Sequence, residues 1–390
     1  MRRLTFLVTA ALLTIALTVP AHAGVLTDAA AAPGPATATV LVRTDSAEVH
    51  RRLGYRVANR LEALGVDVVV VPRGQVTEAL RRYAALPEVD YAEANRIVRL
   101  ANRPNDSQFG HQYALPRIRA PRGWAVYGNR WRAGGGAPIA VIDSGIDTFH
   151  PEFDGKISHC RSWLTGLGIG LSGCQDTQFH GTHVSGIAAA RTNNGTGIAG
   201  VAFDSPIMAL QAFNSAGTAW TADVAAAIVY AADNGARVAN YSFSAETPNQ
   251  TERRAVAYAH SRRVTQVAAA GNTGRAGVQY PARYGKVIAV SATNRRDTLA
   301  SFSTRGGAIE VAAPGEAILS TLPGTLLYGE FDGTSMAAPH VAGLAALLRS
   351  SGYSMAQTRR RIRAGAVDLG PAGRDGLYGF GRIDVLRSLR

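Results

Sequence analysis

The chain has little cysteine, a deficit of acidic residues and no second long apolar run. It contains two cysteines in 390 residues, so a single internal disulfide is the most it can form. Pairing Cys160 with Cys174 would close a loop of about 15 residues, which the chain-entropy model values at roughly 3 kcal/mol. Two buried free thiols are the alternative. Basic residues outnumber acidic ones 41 to 28, a formal charge of +13, yet the arginines are scattered rather than gathered into one run. That distribution fits a solvated surface. It argues against a nucleic-acid footprint, which would cluster on one face beside a binding motif. Beyond residue 38 there is no internal repeat and no low-complexity tract. No segment after the N-terminus approaches the length of a membrane span. What is present, at 46% hydrophobic, is enough to bury a large core and to build more than one domain.

The N-terminus reads MRRLTFLVTAALLTIALTVPAHA. Arg2 and Arg3 give a basic start, Leu4 to Val19 an apolar run and Ala21-His22-Ala23 a small-residue cleavage pattern, so residues 1–23 read as a secretory signal. A membrane anchor is the weaker alternative, because the run is short for a span and contains threonines. The expected product is soluble, extracellular and free of the membrane once the signal is removed. Residues 24–38, rich in Ala, Pro and Gly, form a flexible lead. The pattern then predicts a strand at TVLVRT, a helix from Ser46 to Leu64, a strand at VDVVVVP, a helix from Val76 to Leu86 and a strand at VDYAEANRIVRL. This α+β unit occupies residues 39–103, and ANRPNDSQF breaks both periodicities as a linker. Over residues 104–390, short apolar runs such as APIAVIDSG and RVTQVAAAGN alternate with helical patterns such as Ala222 to Asn234 and Ala337 to Ser350. Such alternation predicts an α/β domain with a mainly parallel sheet between helices. Working residues in that architecture sit just beyond the carboxyl ends of strands.

Three segments stand out. Asp143 ends the strand in AVIDSGID, His180 opens the helical run in FHGTHVSGIAAA, and Ser335 lies between a turn and an alanine-rich run in FDGTSMAAPH. Alone, each has an ordinary reading as Asx turn, surface helix residue or helix cap. Together they supply the acid, base and nucleophile that amide hydrolysis at neutral pH requires. Chain order narrows the arrangement. GTSMA resembles the G-x-S-x-G elbow of α/β-hydrolases, but there the histidine must follow the serine, and only His340 does so, five residues along the same helix. A chymotrypsin-like order needs His before Asp, whereas the order here is Asp, His, Ser, that of subtilisin. Cys160, Cys174, His180 and His183 could be read as zinc ligands, but their spacing fits no usual site and the H-E-x-x-H glutamate is absent.

VIDSGID, HGTHVSG, VAAAGN and GTSMAAPHVAG resemble the four signature segments of the subtilisin-like serine proteases, the subtilase family. ANRPNDSQFG, APRGW, NNGTGIAGVA, SATN, ASFSTRG and GFGRIDVLRS resemble its thermitase-like branch in particular. The resemblance implies a three-layer subtilisin-like fold and a serine endopeptidase using Asp143, His180 and Ser335. Asn272 matches the family's oxyanion-hole asparagine, donating together with the Ser335 N–H that a helix start leaves free.

Polypeptide substrate would bind as an extended strand along Ser215, Ala216 and Gly217 on one side and Ser242, Phe243 and Ser244 on the other. Ala269, Ala270 and Gly271 would line the pocket before the cut bond, and their small size implies broad apolar or aromatic preference. The loop from Arg191 to Ile198 resembles the family's strong calcium loop. Its implied ligands are the side chains of Asp106, Glu152 and Asn194 and the carbonyls of Arg191, Thr196 and Ile198; a plain glycine-rich turn is the alternative. Three positions depart from the family pattern. Phe179 precedes His180 where a small residue is usual, which implies a narrowed subsite. Ser215 and Ser244 stand where glycines are expected. RSWLTGLGIGLSGC lacks the aspartates of the branch's second calcium site, so none is assigned there. The α+β unit resembles the family's ferredoxin-like propeptide, an intramolecular inhibitor whose final IVRL strand would lie in the cleft until cleavage between about Leu100 and Asn105. A monomer is expected.

Overall fold

The structure is a computed structural model that describes residues 36–96, 104–128 and 135–390. The signal segment, nearly all of the lead and the IVRL stretch lie outside the described residues. The chain divides into two compact units, Met1–Leu100 and Ala101–Arg390.

In the first unit, strands β1 (Thr37–Thr44), β2 (Arg56–Leu61), β3 (Val66–Pro72) and β4 (Val89–Ala94) form an antiparallel sheet in the order β2-β3-β1-β4. With helices Glu48–Leu53 and Val76–Ala84 this is the βαββαβ arrangement of ferredoxin-like units. Val40, Val42, Val69 and Val71 alternate inward onto Val49, Ala79 and Tyr83. The single helix expected from Ser46 to Leu64 is not formed. Gly54 adopts φ 74° and stops the helix after Leu53, its N–H donating back to Arg51 and His50. The chain then returns as β2, paired to β3. As an edge strand with alternating exposure, β2 carries a weak amphipathic pattern that a helix of similar polarity would also show.

The second unit is built on an eight-stranded sheet. Its strands are β5 (Ile139–Asp143), β6 (Ile157–Ser162), β7 (Leu171–Ser172), β8 (Ile207–Gln211), β9 (Val238–Tyr241), β10 (Thr265–Ala269), β11 (Val287–Thr293) and β12 (Val311–Pro314), in the order β12-β11-β10-β9-β5-β8-β6-β7. Every pairing is parallel except β6 with β7. Successive residues feed two cores. Ile139, Val141, Ile207, Ala209 and Val267 face one side, while Ala140, Ile142, Met208, Leu210 and Ala268 face the other. This explains the continuous apolar runs of the sequence, since a strand covered on both faces has no polar side. Helices Thr221–Asp233 and Gln250–Ser261 cover the second core. His180–Ala189, Thr334–Ser350, Met355–Gly365 and Val385–Leu389 cover the first. Helix Thr334–Ser350 is buried along almost its whole length. Its small residues permit that depth: a Cβ on Gly343 would lie 2.6 Å from Val201 Cβ.

Because the strands are parallel, their carboxyl ends share one edge of the sheet, and Asp143, Ser242 and Asn272 lie at the ends of β5, β9 and β10 or just beyond. Cys160 and Cys174 are joined with Cα atoms 5.1 Å apart, closing the loop that contains β7. Among the described residues no helix is long and apolar enough to cross a membrane.

Candidate active site

Asp143 is the last residue of β5 and is almost fully buried. Its Oδ1 receives the Ser144 N–H at 2.7 Å and lies 2.7 Å from Nδ1 of His180. Its Oδ2 is buried without a partner among the described residues. An unpaired carboxylate oxygen is costly in a core, but beside an imidazole it concentrates negative charge where an imidazolium would form. His180 keeps 27% of its side-chain surface exposed. Burial works against its protonated form, yet the Asp143 charge and hydrogen bond, with a contribution from Asp176, carry its pKa above the ordinary 6.5.

His180 owes its position to a network that sequence reading missed. Asp176 is buried and accepts from Ser144 Oγ (2.9 Å), Gln178 N (2.9 Å), Phe179 N (3.1 Å), Thr182 N (2.9 Å) and Thr182 Oγ1 (2.6 Å). Ser144 Oγ in turn accepts the Gly181 N–H at 2.8 Å. One carboxylate therefore ties the turn after β5 to the first turn of helix His180–Ala189, satisfying amides that a helix start leaves open. Phe179, the residue before the helix, is held at φ 73° and is 42% exposed. A non-glycine residue there is strained and persists only where neighbours over-determine it, as Asp176 does here. Gly181 allows the close crossing: a Cβ on it would sit 2.2 Å from Gly145 O. The available signal was an aspartate four residues before His180.

Ser335 is the second residue of helix Thr334–Ser350, after Gly333. Its Oγ donates to the Ser242 carbonyl at 2.9 Å, and Ser242 Oγ donates back to the Ser335 carbonyl at 2.8 Å. The second bond has a local cause. Pro339, inside the helix, lacks the N–H that would normally bond the carbonyl of residue 335, and Ser242 takes its place. Asn240 Nδ2 fixes Ser242 Oγ at 2.9 Å. Asn272 accepts through Oδ1 from Thr334 N (2.9 Å) and Thr334 Oγ1 (2.8 Å), which leaves its amide N–H groups for another acceptor. A Cβ built on Gly333 would be 3.5 Å from both Asn272 Nδ2 and Ser335 N, so both nitrogens border the space that this glycine leaves open.

The expected substrate edges are close by. Ser215, Ala216 and Gly217 form an exposed turn held by Asn214 Oδ1, with Gly217 at φ 71°, and a Cβ on Gly217 would meet Gln178 Nε2 at 3.6 Å. Phe243 packs on Phe213 and Tyr241, and Ser244 Oγ donates to Gln279 Oε1 at 2.6 Å. Ala269 and Ala270 are buried, with the Ala270 N–H and carbonyl already bonded to Val290 and Gln279. Gly271, at φ 107°, leaves room for Gln279, whose Oε1 would be 2.2 Å from a Cβ there. Gln279, which sequence reading did not single out, therefore packs against Gly271 and Ser244. The zinc alternative is closed by chemistry. The two cysteines are bonded to each other, and His183, stacked on Phe331 at 4.4 Å, is a buried neutral side chain with its pKa pushed down to about 3 by burial.

The loop from Arg191 to Ile198 does meet Asp106 and Glu152. Asp106 Oδ2 accepts Asn193 N at 3.0 Å, and Glu152 accepts Ile198 N at 2.8 Å and Asn194 Nδ2 at 2.9 Å. Both carboxyls are buried, and burial raises both pKa values, with Asp106 raising Glu152 further. Asp106 Oδ1 is buried with no partner among the described residues. Two buried carboxylates with an orphaned oxygen fit a hard cation. Asn194 presents its amide nitrogen to Glu152 and its oxygen to Thr196 N, so acting as a ligand would require it to turn over.

An aspartate–histidine pair and a helix-start serine at the carboxyl edge of one parallel sheet are the residue types that covalent acyl transfer uses, the serine hydroxyl here being held by the Ser242 carbonyl. Comparison with known proteins gives the class: the chain belongs to the subtilase family of serine proteases, whose model matches residues 134–381. A model described as the Fervidolysin N-terminal prodomain matches residues 42–95. The chain is 40% identical over 316 residues to a thermophilic serine proteinase from Bacillus sp. (strain AK1), covering 81% of this chain and 76% of that one. It is 40% identical over 289 residues to thermitase from Thermoactinomyces vulgaris, covering 74% and 99%. Subtilisin Savinase from Lederbergia lenta is 38% identical over 280 residues, covering 71% and 98%. The chain is thus a thermitase-like, subtilisin-type serine protease carrying an N-terminal prodomain.

Proposed function

We propose that the protein is a secreted endopeptidase made as a zymogen, with Ser335 as nucleophile, His180 as general base and acid, Asp143 as its orienting partner and Asn272 with the Ser335 N–H as oxyanion donors. The observation that carries this reading is the 2.7 Å contact between Asp143 and His180 at the same sheet edge as Ser335 and Asn272. On substrate binding the Ser335 hydroxyl exchanges the Ser242 carbonyl for His180 and attacks the peptide carbonyl. His180 takes the proton and passes it to the leaving amine, and water then hydrolyses the acyl-enzyme. The oxyanion occupies the space beside Gly333 that both nitrogens border. Substrate runs between the 215–217 turn and Ser242–Ser244, with Ala269–Gly271 and Gln279 bounding the pocket for an apolar or aromatic residue. The domain boundaries follow the same reading: signal 1–23, lead 24–38, inhibitory propeptide 39–103 and catalytic domain 104–390.

Intact mass of the secreted protein before and after a serine-directed fluorophosphonate tests this. The expected result is loss of about the first hundred residues and one adduct, on Ser335. An unprocessed chain that takes no label would overturn the reading.

Calcium, when bound by Asp106, Glu152, Asn194 and the carbonyls of Arg191, Thr196 and Ile198, would neutralise the two buried carboxylates and tie the 191–198 loop to residues 105–108. Binding to the folded form alone stabilises by about 2.7 kcal/mol at a hundredfold excess over Kd. Chelation is therefore expected to lower the Tm of the inhibited enzyme by several degrees, and calcium, not magnesium, should restore it. A Tm indifferent to chelator would remove calcium from the proposal.

A further inference from the structure

At the opposite end of the sheet, where β10 and β11 begin, lies a cavity of about 260 Å³. Thr265 in its wall stands seven residues before Asn272, roughly 20 Å along an extended chain. Four cations surround the cavity: Lys286, Arg359, Arg360 and Arg363. A single carboxylate, Glu310, answers them, accepting from Arg359 Nε and Arg363 Nε at 2.8 Å each. Arg359 is further engaged by the carbonyls of Gly285 and Val287. Lys286 and Arg360 have no ion pair or hydrogen bond among the described residues. Four positive charges against one negative leave an excess of about three, and the field reaches His260, whose pKa is lowered by burial and then by Lys286 and Arg359.

Thr265 and Gln266 in the cavity wall are 2% and 1% exposed, and Gln266 is fixed by accepting from Tyr241 OH at 2.8 Å and donating to Val256 O at 3.0 Å. Ile288, Met355 and Ala356 give the cavity an apolar side. The backbone that carries Arg359, Arg360 and Arg363 is fixed. Helix Met355–Gly365 starts with a Ser354–Gln357 capping box and is anchored by buried Thr358 and Ile362 on its other face.

We infer that this cavity binds a small organic anion, a carboxylate or phosphate on a short apolar body. The acidic group meets Lys286, Arg360 and the free guanidinium nitrogens of Arg363, while the apolar body lies against Ile288 and Met355. An excess of cations around a cavity with an apolar side is the composition of a ligand site.

Isothermal titration of the full-length Ser335→Ala protein with hexanoate and with inorganic phosphate, at fixed ionic strength, tests the inference without autolysis. One saturable site for hexanoate is expected, weakened about tenfold or more in Lys286→Ala/Arg360→Ala. Absence of saturable binding in the parent, or an affinity unchanged in Lys286→Ala/Arg360→Ala, overturns the site. Phosphate binding as tightly as hexanoate overturns the role of the apolar wall. The assay needs no catalysis, so its failure and a failure of the endopeptidase reading are distinguishable.

Discussion

Ser335→Ala is expected to reduce kcat by roughly a millionfold, the scale that loss of the serine carries in a subtilisin-type site, and to leave the chain at zymogen length. The substitution removes the Oγ bond to the Ser242 carbonyl but spares the reverse bond from Ser242 Oγ, which takes only the backbone carbonyl of residue 335. The helix start therefore stays tethered. One lost hydrogen bond of this kind costs about 1 kcal/mol, so the variant should fold and melt close to the parent. The measurements are peptide hydrolysis, intact mass and Tm on the same preparation. Hydrolysis above trace level with normal maturation would mean that another group is the nucleophile.

Asp143→Asn should lower kcat by about ten-thousandfold. An asparagine at the end of β5 can turn its NH₂ toward His180 Nδ1, forcing the tautomer whose Nε2 carries a proton and cannot act as a base. The pH profile should move as well. In the parent, Asp143 and Asp176 outweigh burial and hold the imidazole pKa above 6.5. Since the base works only when neutral, kcat/KM should rise with pH through a value above 6.5. Without the Asp143 charge, burial acts with less opposition, the pKa falls, and the acid limb should shift to lower pH. An acid limb that stays in place would mean that the group titrating there is not His180.

How much of this was legible depends on the distance over which each feature is decided. The apolar run ending at Asp143 and the small-residue helix around Ser335 are local patterns. Helices read as Ala222 to Asn234 and Ala337 to Ser350 appear at Thr221–Asp233 and Thr334–Ser350. The strand Arg56–Leu61 was not legible, because at the edge of a sheet its alternation is indistinguishable from that of a continued helix until Gly54 turns the chain. Asp176 was passed over because an aspartate in a polar loop carries no mark of the five hydrogen bonds it accepts. Gln279 was missed for the same reason: its role arises only where the chain passes over Gly271.

The sequence by itself determined the alternation of strands and helices beyond residue 104, a sheet covered on both faces and the residue types for acyl transfer, since periodicity and motif are properties of neighbouring positions. Tertiary structure alone decided what those residues touch. Asp143 and His180 are 37 positions apart and Ser242 and Ser335 are 93 apart, and the cations of the distal cavity come from separate elements. Such pairings are set by how strands and helices pack to bury their apolar faces, and that packing is a property of the whole chain rather than of any segment of it.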